Sequence, residues 1–205
     1  DLIKPGAEGR AINSVVHLLT RPSENPALDI DQDLLLERVL RKHPDVIGVG
    51  EMRSAKEALS VAESSRTGHT VVTTIHSNSA ESTYRRMMTL AKRKYNMADE
   101  ILMQIMVEAY PIVVFTKQLE DGSRRTMQII EGEDYKDGEL IFHPLYQFDV
   151  TDNITDAYGN ITVIGSHKKL GGISDNLKRR MLDNGVPAGK LKPFLQDTPC
   201  KEGGK

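Results

Sequence analysis

The order of apolar and polar positions predicts a helix followed by a strand in the first quarter of the chain. Residues 32–43 carry apolar side chains at helical spacing behind Asp29 and Asp31, either of which can cap the helix, and Pro44 ends it. Residues 45–50 are β-branched and apolar on both faces, which is typical of a buried parallel strand. We expect the inward face of the helix to consist of Leu34, Leu35 and Val39, with Leu36 and Leu40 as further candidates.

The same alternation is repeated in the next sixty residues. Ser54 and Glu57 form a capping box that opens a helix to about residue 66, and residues 70–75 are a second β-branched strand. Asn78 and Glu81 can cap a third helix, to about residue 95. A fourth helix covers about 98–109, and its residues Ile101, Ile105 and Met106 have core spacing. Strands that alternate with helices at these lengths predict an α/β fold.

The pattern changes after Pro111. Residues 112–119 and 126–130 are strand-like and joined by Asp121-Gly122, which is a hairpin signal, and residues 140–150 and 161–164 extend this β-rich part. A basic helix at about 174–184 follows. The predicted division is therefore an α/β region over 1–110, a β-rich and helical extension over 111–197, and a disordered tail over 198–205.

Composition excludes several classes of protein. With 205 residues, 39% of them hydrophobic and 27% charged, the chain is long enough for a sizeable core. A net charge of −2 is not that of a general nucleic-acid coat protein, and we expect no direct nucleic-acid partner. The single cysteine, Cys200, excludes a disulfide framework and fits a reducing compartment. No run of about 18 apolar residues predicts a membrane span, and the start at Asp1 suggests a fragment.

The candidate chemistry lies where the first strand ends, at Gly50 and Glu51. Ligands of α/β proteins bind at the carboxyl ends of strands. A glutamate there can hold a magnesium ion through water or polarise the water that attacks a γ-phosphate, and a small Gly50 lets the backbone approach the ligand. A glutamate that only caps the following helix is the alternative. If the two strands are parallel neighbours, His76 lies at the same sheet edge as Glu51 and can donate to phosphate oxygens.

Three segments together resemble a known family. Residues 41–53 read RKHPDVIGVGEMR, residues 67–69 read TGH, and residues 74–78 read TIHSN. This pattern resembles the Walker B motif and histidine box of the secretion traffic ATPase superfamily, whose members are type II secretion ATPases, type IV pilus motors and type IV secretion or conjugation ATPases. The likeness is strongest over residues 20–90, and the β-rich tail resembles the conjugative and type IVB members more than the pilus motors.

The resemblance implies a RecA-like P-loop NTPase core that uses ATP and Mg²⁺. Glu51 matches the Walker B glutamate of that family, which implies a catalytic residue and an indirect magnesium ligand. His76 matches its histidine box and is the second catalytic candidate, as a sensor of the γ-phosphate or of the subunit interface. The nucleotide-binding candidates that the resemblance implies are Arg21, Gly50, Arg53, Thr67, Gly68 and His69. Asp1 matches the last residue of an acidic box. The resemblance also implies a hexameric ring in the bacterial cytoplasm that works with inner-membrane platform proteins, with peripheral membrane association as a further possibility.

One motif of that family is missing from these 205 residues, the P-loop G-x-x-x-x-G-K-[ST] that holds the phosphates. The segment 185–191 is one residue too short, lacks Ser or Thr, and follows a helix. We therefore expect the chain to be the carboxyl-terminal half of a motor ATPase and to be inactive alone. A non-catalytic interaction module is the second interpretation, and a helicase with the same core is a third.

Two charged segments lie outside the motifs. Residues 84–94 carry Arg85, Arg86, Lys92, Arg93 and Lys94 without an acid, and residues 131–139 have a net charge of −4. Solvated surface is one interpretation of the basic segment, and contact with an acidic neighbouring subunit or with lipid headgroups is another. Complementary patches of this kind can steer the docking of subunits.

Overall fold

The computed structural model describes Gly6, Glu8 and residues 12–195, in two units, Asp1–Asp45 and Val46–Lys205. Asp1 and the predicted tail 198–205 lie outside the described residues. In the first unit a short 3₁₀ helix, Pro26–Leu28, precedes α1, Gln32–Leu40. Of the two predicted capping residues, Asp31 caps α1, and its carboxylate accepts a hydrogen bond from the Leu34 amide at 2.8 Å. The buried residue of α1 is Leu36, while Leu34, Leu35 and Val39 are half-buried.

The second unit begins with a parallel strand pair joined by a helix. Its first elements are β1 (Val46–Val49), α2 (Ala55–Arg66) and β2 (Thr70–Thr73), and Ile47 pairs with Val71 in the parallel register. Ile47 is buried on one face of the pair, whereas Val46 and Val72 on the other face are 55% and 60% exposed. The prediction that β1 is buried on both faces is therefore wrong for the described residues, because no described element covers the second face.

Three helices form the core beside this pair. Helix α3 spans Ala80–Lys92 and α4 spans Asp99–Ala109, and both pack against each other and against α2. Tyr84 is fully buried and its hydroxyl donates to the Tyr110 carbonyl at 2.6 Å. The fully buried side chains of the three helices are Ala58, Val61, Ala62, Ala80, Tyr84, Leu90, Ala91, Leu102 and Met106.

Two local predictions for these helices need correction. Helix α3 is capped by Ser79, which forms a capping box with Ser82, and not by Asn78 with Glu81. Asn78 and Ser79 are both good capping residues, and the hydrogen bonds favour the second. Ile105 and Met106 are buried as predicted, but Ile101 is 49% exposed because α4 turns this side chain away from its neighbours.

The remaining strands form an antiparallel sheet in sequence order. They are β3 (Ile112–Gln118), β4 (Arg124–Lys136), β5 (Glu139–Thr155) and β6 (Ile161–Lys169). The predicted turn at Asp121-Gly122 joins β3 to β4, and Gly122 has a φ of 74°, which glycine adopts without strain. Helices α5 (Asp175–Asp183) and α6 (Ala188–Leu191) and a 3₁₀ helix, Lys192–Phe194, complete the described chain.

These elements confirm the predicted α/β class, with one parallel and one antiparallel sheet. All four predicted strand regions after Pro111 are present, and β4 to β6 run longer than the apolar segments that predicted them. The predicted boundary near residue 110 stays a prediction.

Candidate nucleotide site at the end of the parallel strands

The backbone on both sides of Glu51 is fixed by one residue, Thr74, which follows β2. The Thr74 hydroxyl donates to the Gly50 carbonyl at 2.6 Å, and the Met52 amide donates to the Thr74 carbonyl at 2.8 Å. Met52 is 2% exposed and anchors the chain in the core. Glu51 therefore projects from the carboxyl edge of the sheet between two anchored neighbours, with a side chain that is 23% exposed.

His76 lies beside Glu51, as the parallel order of the strands predicts. Nε2 of His76 is 3.4 Å from Oε1 of Glu51, and the imidazole is 92% exposed. The 24 intervening residues contribute α2 and β2, which return the chain to the same edge. The carboxylate and the imidazole are thus placed where one ligand can contact both.

Arg53 forms an ion pair with the second oxygen of Glu51. Its backbone is held by Glu57, whose carboxylate accepts from the Arg53 amide at 2.6 Å and from the Ser54 amide at 2.8 Å. The hydrogen-bonded Arg53 guanidinium, with a smaller effect from His76, holds the pKa of the Glu51 carboxyl below its ordinary value. Glu51 is consequently a carboxylate at neutral pH.

The capping box of α2 decides an alternative that the sequence left open. Ser54 accepts from the Glu57 amide at 3.2 Å, so that Ser54 and Glu57 cap the helix between them. Glu51 makes no capping contact with α2 among the described residues. Its position is therefore not explained by helix capping.

Gly50 is not required by the packing of the described chain. A Cβ at this position would meet no heavy atom within 4 Å, and its φ lies outside the left-handed region. The space above Gly50 is open, which suits the predicted close approach of a ligand to the backbone.

Thr67, Gly68 and His69 do not join this cluster. They lie between the end of α2 and the start of β2, at the opposite edge of the sheet from Glu51. The four residues of β2 lie between His69 and Thr74, and at about 3.3 Å per residue they span roughly 13 Å. Gly68 has a φ of 98° at the end of α2, and the Thr67 hydroxyl donates to the Ser64 carbonyl at 2.9 Å, so both have local structural roles.

Arg21 belongs to the first unit. Its backbone forms an isolated antiparallel bridge with Ile30, with N–O distances of 2.9 and 3.0 Å, and the residue is exposed. Its predicted nucleotide contact stays a prediction.

The residues of the cluster fit a magnesium ion that is bound mainly by phosphate and water. Among the described residues, no three His, Cys, Asp or Glu side chains form a metal-binding group. Mg²⁺ is usually held by one or two carboxylates together with substrate phosphates and waters. One half-buried carboxylate such as Glu51 meets that requirement. A site in which protein ligands alone hold the metal would need more ligands than this cluster offers.

The motif segment is matched by a known family. The model described as "Type II/IV secretion system protein" matches residues 8–117, which is more than half of the chain. The chain belongs to the type II/IV secretion system protein family. This membership confirms the resemblance drawn from the motifs at the level of the family, and the family match includes Glu51, Arg53, His69 and His76.

Relatives within this family are named for secretion, pilus assembly and conjugation. The chain is 35% identical over 81 residues to a HofB homolog of Haemophilus influenzae, covering 40% of this chain and 18% of that protein. It is 36% identical over 77 residues to the type IV pilus assembly ATPase PilB of Pseudomonas aeruginosa, covering 38% of this chain and 14% of that protein. It is 34% identical over 108 residues to the conjugal transfer protein TrbB of Rhizobium radiobacter, covering 52% and 32%. The chain thus spans less than a third of each of these proteins.

Two solved structures of ATPases also align with this family member. The Yersinia pseudotuberculosis ATPase DotB aligns with a TM-score of 0.40 and 15% identity, over 78% of this chain and 31% of that chain. The Legionella pneumophila ATPase DotB aligns with a TM-score of 0.41 and 16% identity, over 84% and 35%.

The sequence motifs did not single out the part played by Thr74, whose two hydrogen bonds set the backbone around Glu51. A threonine at the end of the second strand is the available signal, since its hydroxyl can continue the ladder after the strand ends. In the part of the chain that the structure describes, no helix is both long and apolar enough to cross a membrane.

Proposed function

We propose that the full-length protein hydrolyses ATP, with Glu51 as its Walker B glutamate and His76 as a sensor of the γ-phosphate. The supporting observation is the Glu51–His76 pair at the carboxyl edge of two parallel strands, within the segment that matches the family. That edge is where α/β proteins bind their ligands. Helices α2 and α3 also begin there, and their amino-terminal ends favour negatively charged phosphates.

The charge of Glu51 argues against a role as general base. A general base works best when its pKa lies near the working pH. Arg53 lowers the pKa of Glu51, which makes this carboxylate a poorer proton acceptor at neutral pH. Glu51 then acts through its charge: it holds a water of the magnesium shell, or orients the attacking water, and leaves the proton to the phosphate. ATP brings the phosphates and Mg²⁺ brings the charge that neutralises them.

The neighbouring residues have supporting roles in this proposal. The imidazole of His76 donates to a γ-phosphate oxygen, Gly50 leaves room for the phosphates, and Arg53 sets the orientation of Glu51. The nucleotide contact predicted for Thr67, Gly68 and His69, which lie at the opposite sheet edge, stays a prediction. Arg21 keeps the role that the family resemblance implies, near a γ-phosphate or at a subunit interface.

On a larger scale, the full-length protein would form a homo-oligomeric ring, with six subunits as in the family resemblance. The ring would be a cytoplasmic motor at the bacterial inner membrane, where it would work with platform proteins of a secretion, conjugation or pilus machine. The 108-residue alignment to TrbB supports the conjugative branch.

A Glu51→Gln variant of the full-length protein tests the assignment. Glutamine keeps the size of the side chain but loses its charge, so we expect ATP binding to be retained and kcat to fall by about 10²-fold or more. The measurements are steady-state ATPase rates and the affinity for a fluorescent ATP analogue. Glu63→Gln, on the exposed surface of α2, is the matched control and should keep the wild-type rate. A Glu51→Gln enzyme with an unchanged kcat would remove Glu51 from the mechanism.

The alternative function is a non-catalytic module that docks to a partner ATPase or to a platform protein. The absence of a P-loop from these 205 residues favours it for the chain in isolation.

A further inference from the structure

We propose that the exposed cationic face of α3 docks onto the acidic β4–β5 turn of a second copy of this chain. The cationic face consists of Arg85 and Arg86 on α3 and of Arg93 and Lys94, which directly follow its last residue. The acidic turn consists of Asp134, Asp137 and Glu139. The proposal rests on the proposed function in one respect, the assembly of the full-length protein into a homo-oligomer, and it identifies surfaces that join the subunits.

The cationic face is rigid and has no acidic partner of its own. The opposite side of α3 is buried through Tyr84, Met87 and Leu90, so the helix presents its arginines from a fixed backbone. Lys92 is already paired with Asp99. The four side chains of the face are exposed, and none of them forms an ion pair with another described residue.

The acidic turn offers fewer free carboxylates than the sequence predicts. Glu131 is 2% exposed, and its carboxylate accepts from the amide and the hydroxyl of Ser174 at 2.7 and 2.5 Å. Glu133 is paired with His143 at 2.6 Å. The predicted patch over 131–139 therefore loses two of its five acids, and three exposed acids and Lys136 remain.

The acidic turn is also held in one shape. Asp137 and Gly138 connect β4 to β5 as a two-residue loop, and their φ angles of 54° and 84° are those of a type I′ turn, for which Asp-Gly is a preferred sequence. Lys136 pairs with Glu139 across the turn, so the strands present the exposed acids in a fixed arrangement. Two rigid surfaces lose little conformational freedom when they associate.

Both surfaces belong to the second unit, and the turn at Asp137 and Gly138 lies beyond the point where α3 contacts β4. Helix α3 packs on β4 at Gly132, where an added Cβ would collide with the Tyr84 ring. Asp137 lies five residues beyond Gly132, in the turn that follows β4, and the strand between them accounts for roughly 13 Å at about 3.3 Å per residue. No ion pair joins the four cations to the three acids among the described residues.

Contact between two different surfaces of identical chains is a heterologous interface, and such interfaces close into rings when the rotation between subunits permits it. The same molecule carries four cations on one surface and three exposed acids on the other. This complementary charge favours a second copy of the chain over a lipid surface as the partner of the cationic face. Charge pairs at the rim of an interface act chiefly on the association rate and on the choice of partner. Assembly should therefore weaken as ionic strength rises.

Charge reversal in the full-length protein tests the pairing. One variant carries Arg85→Glu, Arg86→Glu and Arg93→Glu, and the other carries Asp134→Lys, Asp137→Lys and Glu139→Lys. Each variant alone faces like charges across the contact, so we expect its assembly affinity to fall by about tenfold or more in sedimentation velocity and mass photometry. All six positions are exposed, and unchanged circular dichroism and thermal unfolding will verify that both variants remain folded.

Mixing the two variants gives the decisive result. The acidic helix face of the first variant complements only the lysine turn of the second, and the arginine face of the second complements only the acidic turn of the first. The mixture should therefore regain the wild-type mass with the two chains in equal amounts. A chain that carries all six reversals should assemble by itself. Lys117→Glu, Arg124→Glu and Lys190→Glu form the matched control, which reverses three exposed cations elsewhere and should leave the mass unchanged.

Two results would overturn the proposal. The first is a mixture of folded variants that fails to assemble, or single variants that assemble like the wild type. The second is binding of the wild-type protein to phosphatidylserine vesicles that is lost when the cationic face is reversed, while neither charge reversal changes the mass of the assembly. That result would assign the cationic face to a membrane. Assembly is read without ATP turnover, so loss of the pairing and failure of the Glu51 assignment produce different results.

Discussion

The charge state of Glu51 is controlled by a residue two positions away. Arg53 pairs with one oxygen of the carboxylate, while the other oxygen faces His76. A carboxyl whose pKa is depressed in the folded protein stays ionised above its ordinary pKa of about 4.3 and loses its charge only as the pH falls through the lower folded value. The contribution of this charge to stability and to phosphate chemistry is present at neutral pH and disappears in acid.

Arg53→Ala therefore has a predicted pH signature. Without the guanidinium, the pKa of Glu51 rises toward its ordinary value, and the acid limb of the pH profile of kcat in the full-length ATPase shifts to higher pH. The same shift is expected when the Glu51 carboxyl is titrated by ¹³C NMR in the isolated chain. Arg53→Lys, which keeps a positive charge, should shift the limb by less. An alanine variant with an unmoved acid limb would show that Arg53 does not control the carboxyl.

At the scale of elements, β4 is joined to the start of α5 by a buried carboxylate. Glu131 accepts two hydrogen bonds from Ser174, and the same serine hydroxyl accepts from the Leu177 amide at 3.0 Å as the cap of α5. One hydroxyl thus serves both the strand and the helix. The antiparallel sheet and the last long helix of the described chain are connected through this contact.

Ser174→Ala removes a helix cap and one partner of a buried carboxylate together. We expect a loss of about 1–3 kcal/mol in the free energy of unfolding, measured by urea denaturation monitored by circular dichroism. Ser166→Ala, on the exposed surface of β6, is the control and should change stability by no more than about 0.5 kcal/mol. Equal stabilities of the two variants would exclude a stabilising role for the Glu131–Ser174 contact.

The features that the sequence could predict are local or follow from strand order. The capping box joins Ser54 to Glu57 only three positions later, and the proximity of Glu51 to His76 follows from two parallel neighbouring strands. The burial of Glu131 could not be predicted, since its partner Ser174 lies 43 residues away and is brought in by the fold. The motif places His69 and His76 in one histidine box because they are close in sequence. It does not show that they lie at opposite ends of β2 in the fold.

For the whole molecule, we propose that the groups that bind nucleotide are divided between these 205 residues and the rest of a full-length protein. The 205 residues contain the carboxylate and the imidazole, but the backbone amides and lysine of a P-loop, which hold the phosphates most strongly, are not in this sequence. Isothermal titration of ATP–Mg²⁺ into the isolated chain should therefore show no tight binding. Submicromolar binding would contradict this division and reveal a second mode of phosphate recognition.

The central claim is that Glu51 faces the γ-phosphate at the carboxyl edge of β1 and β2. The most direct measurement is a structure of the full-length protein with Mg²⁺ and a non-hydrolysable ATP analogue. The claim predicts that one water or the magnesium shell separates the Glu51 carboxylate from the γ-phosphate, with His76 in hydrogen-bond reach of a phosphate oxygen. A γ-phosphate located instead beside Thr67 and His69, at the opposite edge of the sheet, would contradict it.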